Sequence, residues 1–195
     1  MNKAITALVL SILFMACGGN INYDKAATQS GVEQDTLKRL CKGITCDYDD
    51  LKDRIEARAS DGGGFMSAMG GTEDRKMELA WVSGWTDVEL TVFDVFLYGS
   101  WKFNEKAELY IDKEKVADID GSVSQDLGTY NQVANEHEKI ESISKRISIE
   151  TARKIAEADP KTITIRFYSK DGYSDVKPSS KHNMIQIVKL AETVR

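Results

Sequence analysis

Proline, histidine and long apolar runs are scarce in this sequence of 195 residues. Proline and histidine occur twice each and glycine 14 times, while 42% of the residues are hydrophobic. This balance excludes a collagen-like or fully disordered chain. A membrane-spanning helix needs roughly 20 consecutive apolar residues, and the absence of a series of such runs excludes a multi-span membrane protein. One globular domain is expected.

The sequence also lacks an excess of basic residues. Lysine and arginine number 26 against 31 aspartates and glutamates, which gives a formal net charge of −5. Proteins that bind nucleic acid present a basic surface that neutralises phosphates. A nucleic-acid partner is therefore not expected.

Motifs for metal, nucleotide and nucleophilic chemistry are missing as well. The two histidines, His137 and His182, lack the paired ligands of zinc sites, and no serine lies in a Gly-x-Ser-x-Gly pattern. The glycine-rich segment 60–72 leads into Glu73 and Asp74 rather than the Gly-Lys-Ser/Thr of a phosphate-binding loop. The acidic segment 118–121 has its glycine two places too early for an EF-hand. The sequence predicts no metal, cofactor or nucleotide.

The N-terminus has the pattern of an export signal. Lys3 precedes an apolar run, 4–16, that only Thr6 and Ser11 interrupt. A charged start followed by a run of this length is typical of a secretory signal peptide. We therefore expect residues 1–16 to be removed.

The residues at the end of this run, Leu13-Phe14-Met15-Ala16-Cys17, resemble the lipobox of bacterial lipoproteins. The resemblance implies that Cys17 becomes the first mature residue and carries acyl chains, palmitate among them, that hold the protein to a membrane. Gly18, in the place where aspartate marks inner-membrane retention, implies the outer membrane, with the domain facing the periplasm.

Two cysteines remain once Cys17 is assigned to lipid. Cys41 and Cys46 are separated by four residues that include a glycine. Zinc-binding and thioredoxin-like patterns begin with only two intervening residues. The spacing therefore predicts a local disulfide between Cys41 and Cys46.

Two segments precede the main domain of the mature chain. Residues 17–35 are polar and non-periodic, which is typical of a flexible tether. Residues 36–72 contain two predicted short helices, at 36–42 and 48–59, joined by the cysteine loop.

The glycine-rich loop that closes this second segment has two interpretations. Its five glycines rule out a stable helix or strand interior. It is either a solvated hinge or a partner-binding loop. In the second case Phe65, Met66 and Met69 supply adaptable apolar contacts.

Residues 73–195 show the alternation of antiparallel strands. The apolar run 88–97 predicts a central strand, and the polar segment 121–135 is predicted to be a surface loop. Alternating apolar residues predict further strands at 77–81, 107–111, 139–148, 163–168 and 173–176. Arg166 lies midway along one of them, so we expect it to pair with an acidic residue of a neighbouring strand.

Two helices complete this domain. Ser148 can cap a short helix at 149–158. The closing helix carries a predicted core stripe of Met184, Ile187, Val188 and Ala191. The fold class predicted is α+β, with an antiparallel meander or sandwich-like sheet covered by the C-terminal helix and a small N-terminal helical segment.

The C-terminal half resembles a group of bacterial envelope domains to which no activity is attached. The resemblance is carried by Trp101-Lys102-Phe103, by the segments 107–112 and 147–158, and by the run 163–173. In that group a strand pair is followed by a short helix, a strand with a central arginine, a glycine turn and a closing helix. The resemblance implies a fold and no function.

The sequence therefore predicts a membrane-anchored lipoprotein with a non-enzymatic binding or structural domain, and an envelope protein as its partner. Two alternatives stay open. One is an envelope hydrolase that acts on peptidoglycan or glycans through carboxylates. The other is a periplasmic inhibitor or immunity lipoprotein.

Overall fold

The structure, a computed structural model, describes residues 21–61, 75–97, 99–132, 134–178, 180 and 183–194. In these ranges the chain forms two antiparallel sheets, four α-helices and one 3-10 turn. None of the helices described is long and apolar enough to cross a membrane.

The larger sheet has six strands. They are β1 (Thr45–Asp49), β2 (Arg54–Ser60), β3 (Met77–Val82), β4 (Asp87–Phe96), β7 (Ser122–Asn131) and β8 (Glu136–Ser148). Their order across the sheet is β1-β2-β3-β4-β8-β7. Neighbours in this order are antiparallel, so β4 lies inside the sheet and β1 and β7 form its edges.

The smaller sheet has four strands. They are β5 (Lys106–Ile111), β6 (Glu114–Ile119), β9 (Ile163–Ser169) and β10 (Gly172–Val176), in the order β10-β9-β5-β6. The helices are α1 (Tyr23–Ser30), α2 (Gln34–Leu40), α3 (Ile149–Glu157) and α4 (Met184–Thr193), and the 3-10 turn is Pro160–Thr162.

The C-terminal helix covers the larger sheet. α4 packs on β2, β3 and β4. Its buried residues include the whole predicted stripe of Met184, Ile187, Val188 and Ala191. A single hydrophobic core joins them to both sheets, with Trp81 and Phe167 among its largest buried side chains. The predicted α+β class, an antiparallel sheet covered by a C-terminal helix, is confirmed.

Three local predictions are also confirmed. β4 is an interior strand, and its residues Val88, Leu90 and Val92 are fully buried. α3 begins after Ser148, whose Oγ accepts a hydrogen bond from the backbone N–H of Thr151 at 3.1 Å. The first helix of the segment 36–72 is present as α2.

The helix predicted at 48–59 is wrong, because this part of the chain forms the β1–β2 hairpin. Asp49 Oδ1 accepts hydrogen bonds from the backbone N–H groups of Leu51 and Lys52, at 3.1 and 3.2 Å, and Asp53 has φ 50. Carboxylates that suit a helix N-terminus stabilise a tight turn equally well. The buried residues of β2 then alternate, as a strand requires.

The tether predicted for 17–35 is wrong where it overlaps α1. Asn22 caps this helix by accepting a hydrogen bond from the backbone N–H of Lys25 at 3.2 Å, and Gly31 ends it at φ 67. Ala26 is fully buried in the core. This part of the chain is therefore packed against the domain.

The surface loop predicted for 121–135 is wrong as well, because most of this segment is β7. The strand pairs with β8 from Ser122 to Asn131, with a bulge between Leu127 and Tyr130. It is exposed along its length up to the bulge. A strand with no buried face needs no apolar alternation, which is why the sequence pattern is polar.

Candidate functional site

The outer side of the smaller sheet carries a dense group of aromatic and charged side chains. In β9, Ile163, Ile165 and Phe167 are buried, so the residues between them face outward. The register of β9 with β5 and β10 sets further residues beside them. We call this surface the tyrosine face; its members are Lys106, Glu108, Tyr110, Arg166, Tyr168, Tyr173 and Asp175.

Glu108 lies at the centre of the tyrosine face and is only 8% exposed. Its Oε2 accepts hydrogen bonds from the hydroxyls of Tyr110 at 2.5 Å and Tyr168 at 2.6 Å. Lys115 and Lys106 lie 3.6 and 3.9 Å from its Oε1. The two hydroxyl donors, Tyr110 first, lower the pKa of Glu108 to about 2, and the same bond raises the pKa of Tyr110.

Arg166 is held by an acid on the neighbouring strand, which confirms the prediction made for it. Its Nε and Nη2 donate to the two carboxylate oxygens of Asp175 at 2.7 and 2.8 Å. This bidentate bond lowers the pKa of Asp175 and raises the pKa of Arg166. The guanidinium also lies 4.3 Å from the ring centre of Tyr173 and 5.8 Å from that of Tyr110. Its orientation is therefore fixed on three sides.

A groove of about 500 Å³ opens at the end of the tyrosine face. Its floor and walls include Tyr110, Arg166 and Asp175, together with Asp112, Lys113, Lys161, Thr162, Thr164 and Lys177. Four basic side chains face two carboxylates there, although the whole chain has a net charge of −5. Arg166 and Asp175 neutralise each other, so the remaining lysines make this groove locally positive.

The turn between β5 and β6 places one of these lysines. Asp112 and Lys113 both have positive φ, 50 and 70, and together they close a two-residue hairpin. A type I′ turn needs positive φ at both central residues and matches the twist of the strands it joins. The side chain of Lys113 is thereby presented at the edge of the groove.

Two buried carboxylates, Asp94 on β4 and Glu141 on β8, lie directly opposite each other in the larger sheet. They are 2% and 0% exposed. Asp94 accepts hydrogen bonds from Lys102 Nζ at 2.9 Å and Asn104 Nδ2 at 3.0 Å. Glu141 accepts from the backbone N–H groups of Phe103 and Asn104, both at 2.8 Å. The pair therefore anchors the segment 99–105 that leads from one sheet to the other.

This carboxylate pair has a structural role, because both side chains are buried and accept further hydrogen bonds. Ser174 Oγ of β10 donates to Asp94 at 3.3 Å, and Gln125 Nε2 of β7 donates to Glu141 at 3.2 Å. Like charges opposite each other in a sheet destabilise it unless they are compensated. The donors around both carboxylates supply that compensation.

The structure contains one of the sequence-predicted sites and does not describe the others. Cys41 and Cys46 form a disulfide with their Cα atoms 5.8 Å apart, consistent with the spacing argument. Cys17, Phe65, Met66 and Met69 lie outside the described residues, as does His182.

His137 is described and takes part in a local contact. It is exposed, with Nδ1 3.0 Å from the carbonyl oxygen of Gly128 and its ring 5.0 Å from the ring of Tyr130. Within the described ranges, no three His, Cys, Asp or Glu side chains are grouped so that they could hold a metal ion.

Sequence reasoning found Arg166 and missed the rest of the tyrosine face. A signal was present, because Lys106, Glu108 and Tyr110 alternate with buried apolar residues just as Arg166 and Tyr168 do. Polar and aromatic residues on the outward side of two strands form a common surface when the strands are neighbours. The sequence does not show that these strands are neighbours.

Comparison of the chain with protein-family models, curated proteins and solved structures finds no match. The functional proposal for this protein therefore depends on its own side chains.

Proposed function

We propose that the protein is a lipoprotein of the bacterial envelope, anchored through acyl chains on Cys17, whose domain binds a protein partner through the tyrosine face. The anchor is supported by the lipobox-like sequence before Cys17. The role in binding is supported by the surface chemistry of the smaller sheet.

The arrangement of Arg166 is the observation that carries the proposal. An arginine bound to Asp175 on one side and to the rings of Tyr173 and Tyr110 on the others keeps its orientation before a partner arrives. Tyrosine and arginine dominate the residues that contribute most to protein interfaces. Side chains that are already ordered lose less conformational entropy on binding.

The groove beside the tyrosine face defines the kind of partner. Lys113, Lys161 and Lys177 line it and form no ion pair with another described residue. Their charge would complement an acidic segment of a partner and would orient its approach. The partner proposed is therefore an envelope protein with an acidic patch next to an apolar or aromatic contact.

The hydrolase alternative has weaker support. An acid and a base in a glycoside hydrolase must reach the scissile bond from opposite sides. Asp94 and Glu141 are a carboxylate pair that lies directly opposite across two strands. Both are buried and already hydrogen-bonded, so neither is placed to act on a scissile bond. An inhibitor or immunity lipoprotein would be a narrower form of the binding function and would use the same face.

The test is site-specific photo-crosslinking in cells. A photoreactive residue replaces Tyr173, which is 65% exposed on the tyrosine face, and in a control replaces Leu51, which is 97% exposed on the β1–β2 turn. We expect a discrete protein adduct in the membrane fraction from position 173 and none from position 51. Equal adducts from both positions, or none from position 173, would contradict the proposal.

A charge variant tests the groove. Lys113→Gln together with Lys161→Gln should lower the adduct yield about tenfold, which corresponds to about 1.4 kcal/mol of binding free energy. The matched control is Lys38→Gln with Lys52→Gln, which removes the same charge outside the tyrosine face. An equal loss in both double variants would show a general effect of net charge instead.

A further inference from the structure

The outer edge of the larger sheet, β7, is paired on one side only. β8 is its neighbour, and no other described strand follows it in the sheet order. The outward N–H and C=O groups of such a strand can pair with another chain. Three of its side chains, Val123, Leu127 and Tyr130, are large, apolar or aromatic, and 44–58% exposed.

The other edge strands of the two sheets are protected in ways that β7 is not. β1 and β10 have five residues each, and three of the six residues of β6 are charged. β7 has ten residues, one charge, at Asp126, and no proline or lysine. Short length and charge are the usual devices that prevent pairing between sheet edges.

The exposed apolar residues of β7 lie on one side of the strand. Val123, Gln125 and Leu127 are spaced by two residues and therefore share a face. The bulge after Leu127 lets Tyr130 pair with His137 and return to the same face. The six residues 122–127 before the bulge stay in regular register with β8.

We infer that β7 is a self-association edge: it pairs antiparallel with β7 of a second copy, with Gln125 opposite the second copy's Gln125. In this register Val123 faces the second copy's Leu127, and by symmetry Leu127 faces the second copy's Val123. Asp126 faces the second copy's Ser124. Both exposed apolar residues of the regular segment are covered, and no like charges meet.

Neighbouring registers lack this match. A shift of two residues in one direction places Asp126 opposite the second copy's Asp126, and a shift of two in the other direction places Leu127 opposite a glycine. A shift of one residue places Val123 opposite Asp126 or Gly128 of the second copy. A slip in register changes every side-chain contact between the two strands. Because only the symmetric register pairs the apolar residues and separates the charges, the sequence of β7 specifies that register.

Disulfide trapping of the full chain in cells tests this register. Gln125→Cys places two thiols on directly opposed residues, whose Cβ atoms lie about 4.5–5.5 Å apart in a paired sheet. Ser124→Cys is the matched control, since it is also exposed but faces Asp126 in the second copy. After mild oxidation we expect at least about tenfold more disulfide-linked dimer from Gln125→Cys, because only directly opposed thiols meet the geometry of a disulfide.

Two further experiments make the result decisive. Val123→Cys mixed with Leu127→Cys should form a mixed dimer. Leu127→Lys added to Gln125→Cys should abolish the dimer, whereas Leu51→Lys should leave it unchanged. Equal trapping of Ser124→Cys and Gln125→Cys, no trapping at all, or no effect of Leu127→Lys would each overturn the inference. These outcomes are independent of whether the tyrosine face binds a partner.

Discussion

Glu108 shows how one residue organises a surface. It lies on β5 two residues from Tyr110 and diagonally across from Tyr168 on β9, so strand geometry alone brings both hydroxyls to its carboxylate. Hydrogen bonds to a charged acceptor are stronger than neutral ones. The negative charge of Glu108 therefore orders two of the three tyrosines of the proposed binding surface.

The lowered pKa of Glu108 predicts a pH-dependent contribution to stability. Its pKa is about 2 in the folded protein and about 4.3 in an unfolded chain. The ionised carboxylate therefore stabilises the fold fully above about pH 5, and this stabilisation is lost as the pH falls toward 2. Glu108→Gln should cost about 2 kcal/mol at neutral pH, and the difference from the wild type should shrink steadily in acid.

Urea unfolding of both proteins between pH 2 and pH 7 measures this difference. Asp118→Asn is the control, because Asp118 is a half-exposed carboxylate on β6 whose ion pair with Lys115 is solvated. Such pairs contribute about 0–1 kcal/mol. If the stability lost in Glu108→Gln stays constant with pH, the hydrogen bonds from the two tyrosine hydroxyls do not require a charged carboxylate.

At the scale of elements, the sequence predicts the strands and helices whose buried side chains recur with a regular period. β4 and β9 lie where the alternating pattern predicts strands, and α4 buries the predicted stripe at helical spacing. The β1–β2 hairpin is predicted as a helix because its apolar residues fit both periods. Ile55 and Ala59 are four residues apart, which matches one helical step and also two strand steps of two. Pairing with β3, a tertiary contact, decides between them.

The sequence pattern does not predict elements and site residues whose structure depends on contacts with distant parts of the chain. β7 has no buried face to give it a period, and it exists because β8 pairs with it. Arg166 could be assigned a partner on a neighbouring strand because an arginine inside an alternating strand needs one. The bond from Tyr168 to Glu108 joins residues 60 positions apart, so only the order of the strands brings them together.

The disulfide between Cys41 and Cys46 links the end of α2 to β1, and mutation can remove it. Closing a loop of about six residues removes chain entropy from the unfolded state worth about 2 kcal/mol. Replacing Cys41 and Cys46 together by alanine should therefore lower the free energy of unfolding by about that amount. Both side chains are at least 94% buried, which is why alanine, with no added polar group, is the substitution to use.

Alkylation provides the matching readout for this disulfide. The native protein should resist alkylation at both cysteines until reductant is added, and reduced wild-type protein should unfold at the same urea concentration as the double variant. Immediate labelling of both thiols in native protein taken from cells would contradict the disulfide.

The whole molecule is held together across its two sheets. Asp94 and Glu141 of the larger sheet bind the segment that leads to β5, and Ser174 of the smaller sheet binds Asp94. The core is likewise shared between the sheets and the helices. The tyrosine face is on the smaller sheet and the exposed edge β7 is on the larger one, so one molecule can use both surfaces.

Packing of α1 also limits how far the domain can lie from its proposed anchor. Ile21, four residues after Cys17, packs against the core, and four extended residues span at most about 14 Å. An anchored domain would therefore lie close to the membrane surface. Removal of residues 1–16 would take away Lys3 and leave 25 basic against 31 acidic side chains, so the mature domain would have no excess of positive charge to bind anionic lipid by itself.

Cys17→Ala should therefore move the protein from the membrane fraction to the soluble fraction and remove its labelling by palmitate. Each buried CH₂ of an acyl chain contributes about 0.8 kcal/mol to membrane binding, and the acidic domain offers nothing comparable. The variant lacking Cys41 and Cys46 is the control, because it loses two cysteines and should stay in the membrane with its label. An unchanged urea midpoint for Cys17→Ala would show that release comes from the lost anchor and not from misfolding. Retention of folded Cys17→Ala in salt-washed membranes would mean that the protein is held there by another contact.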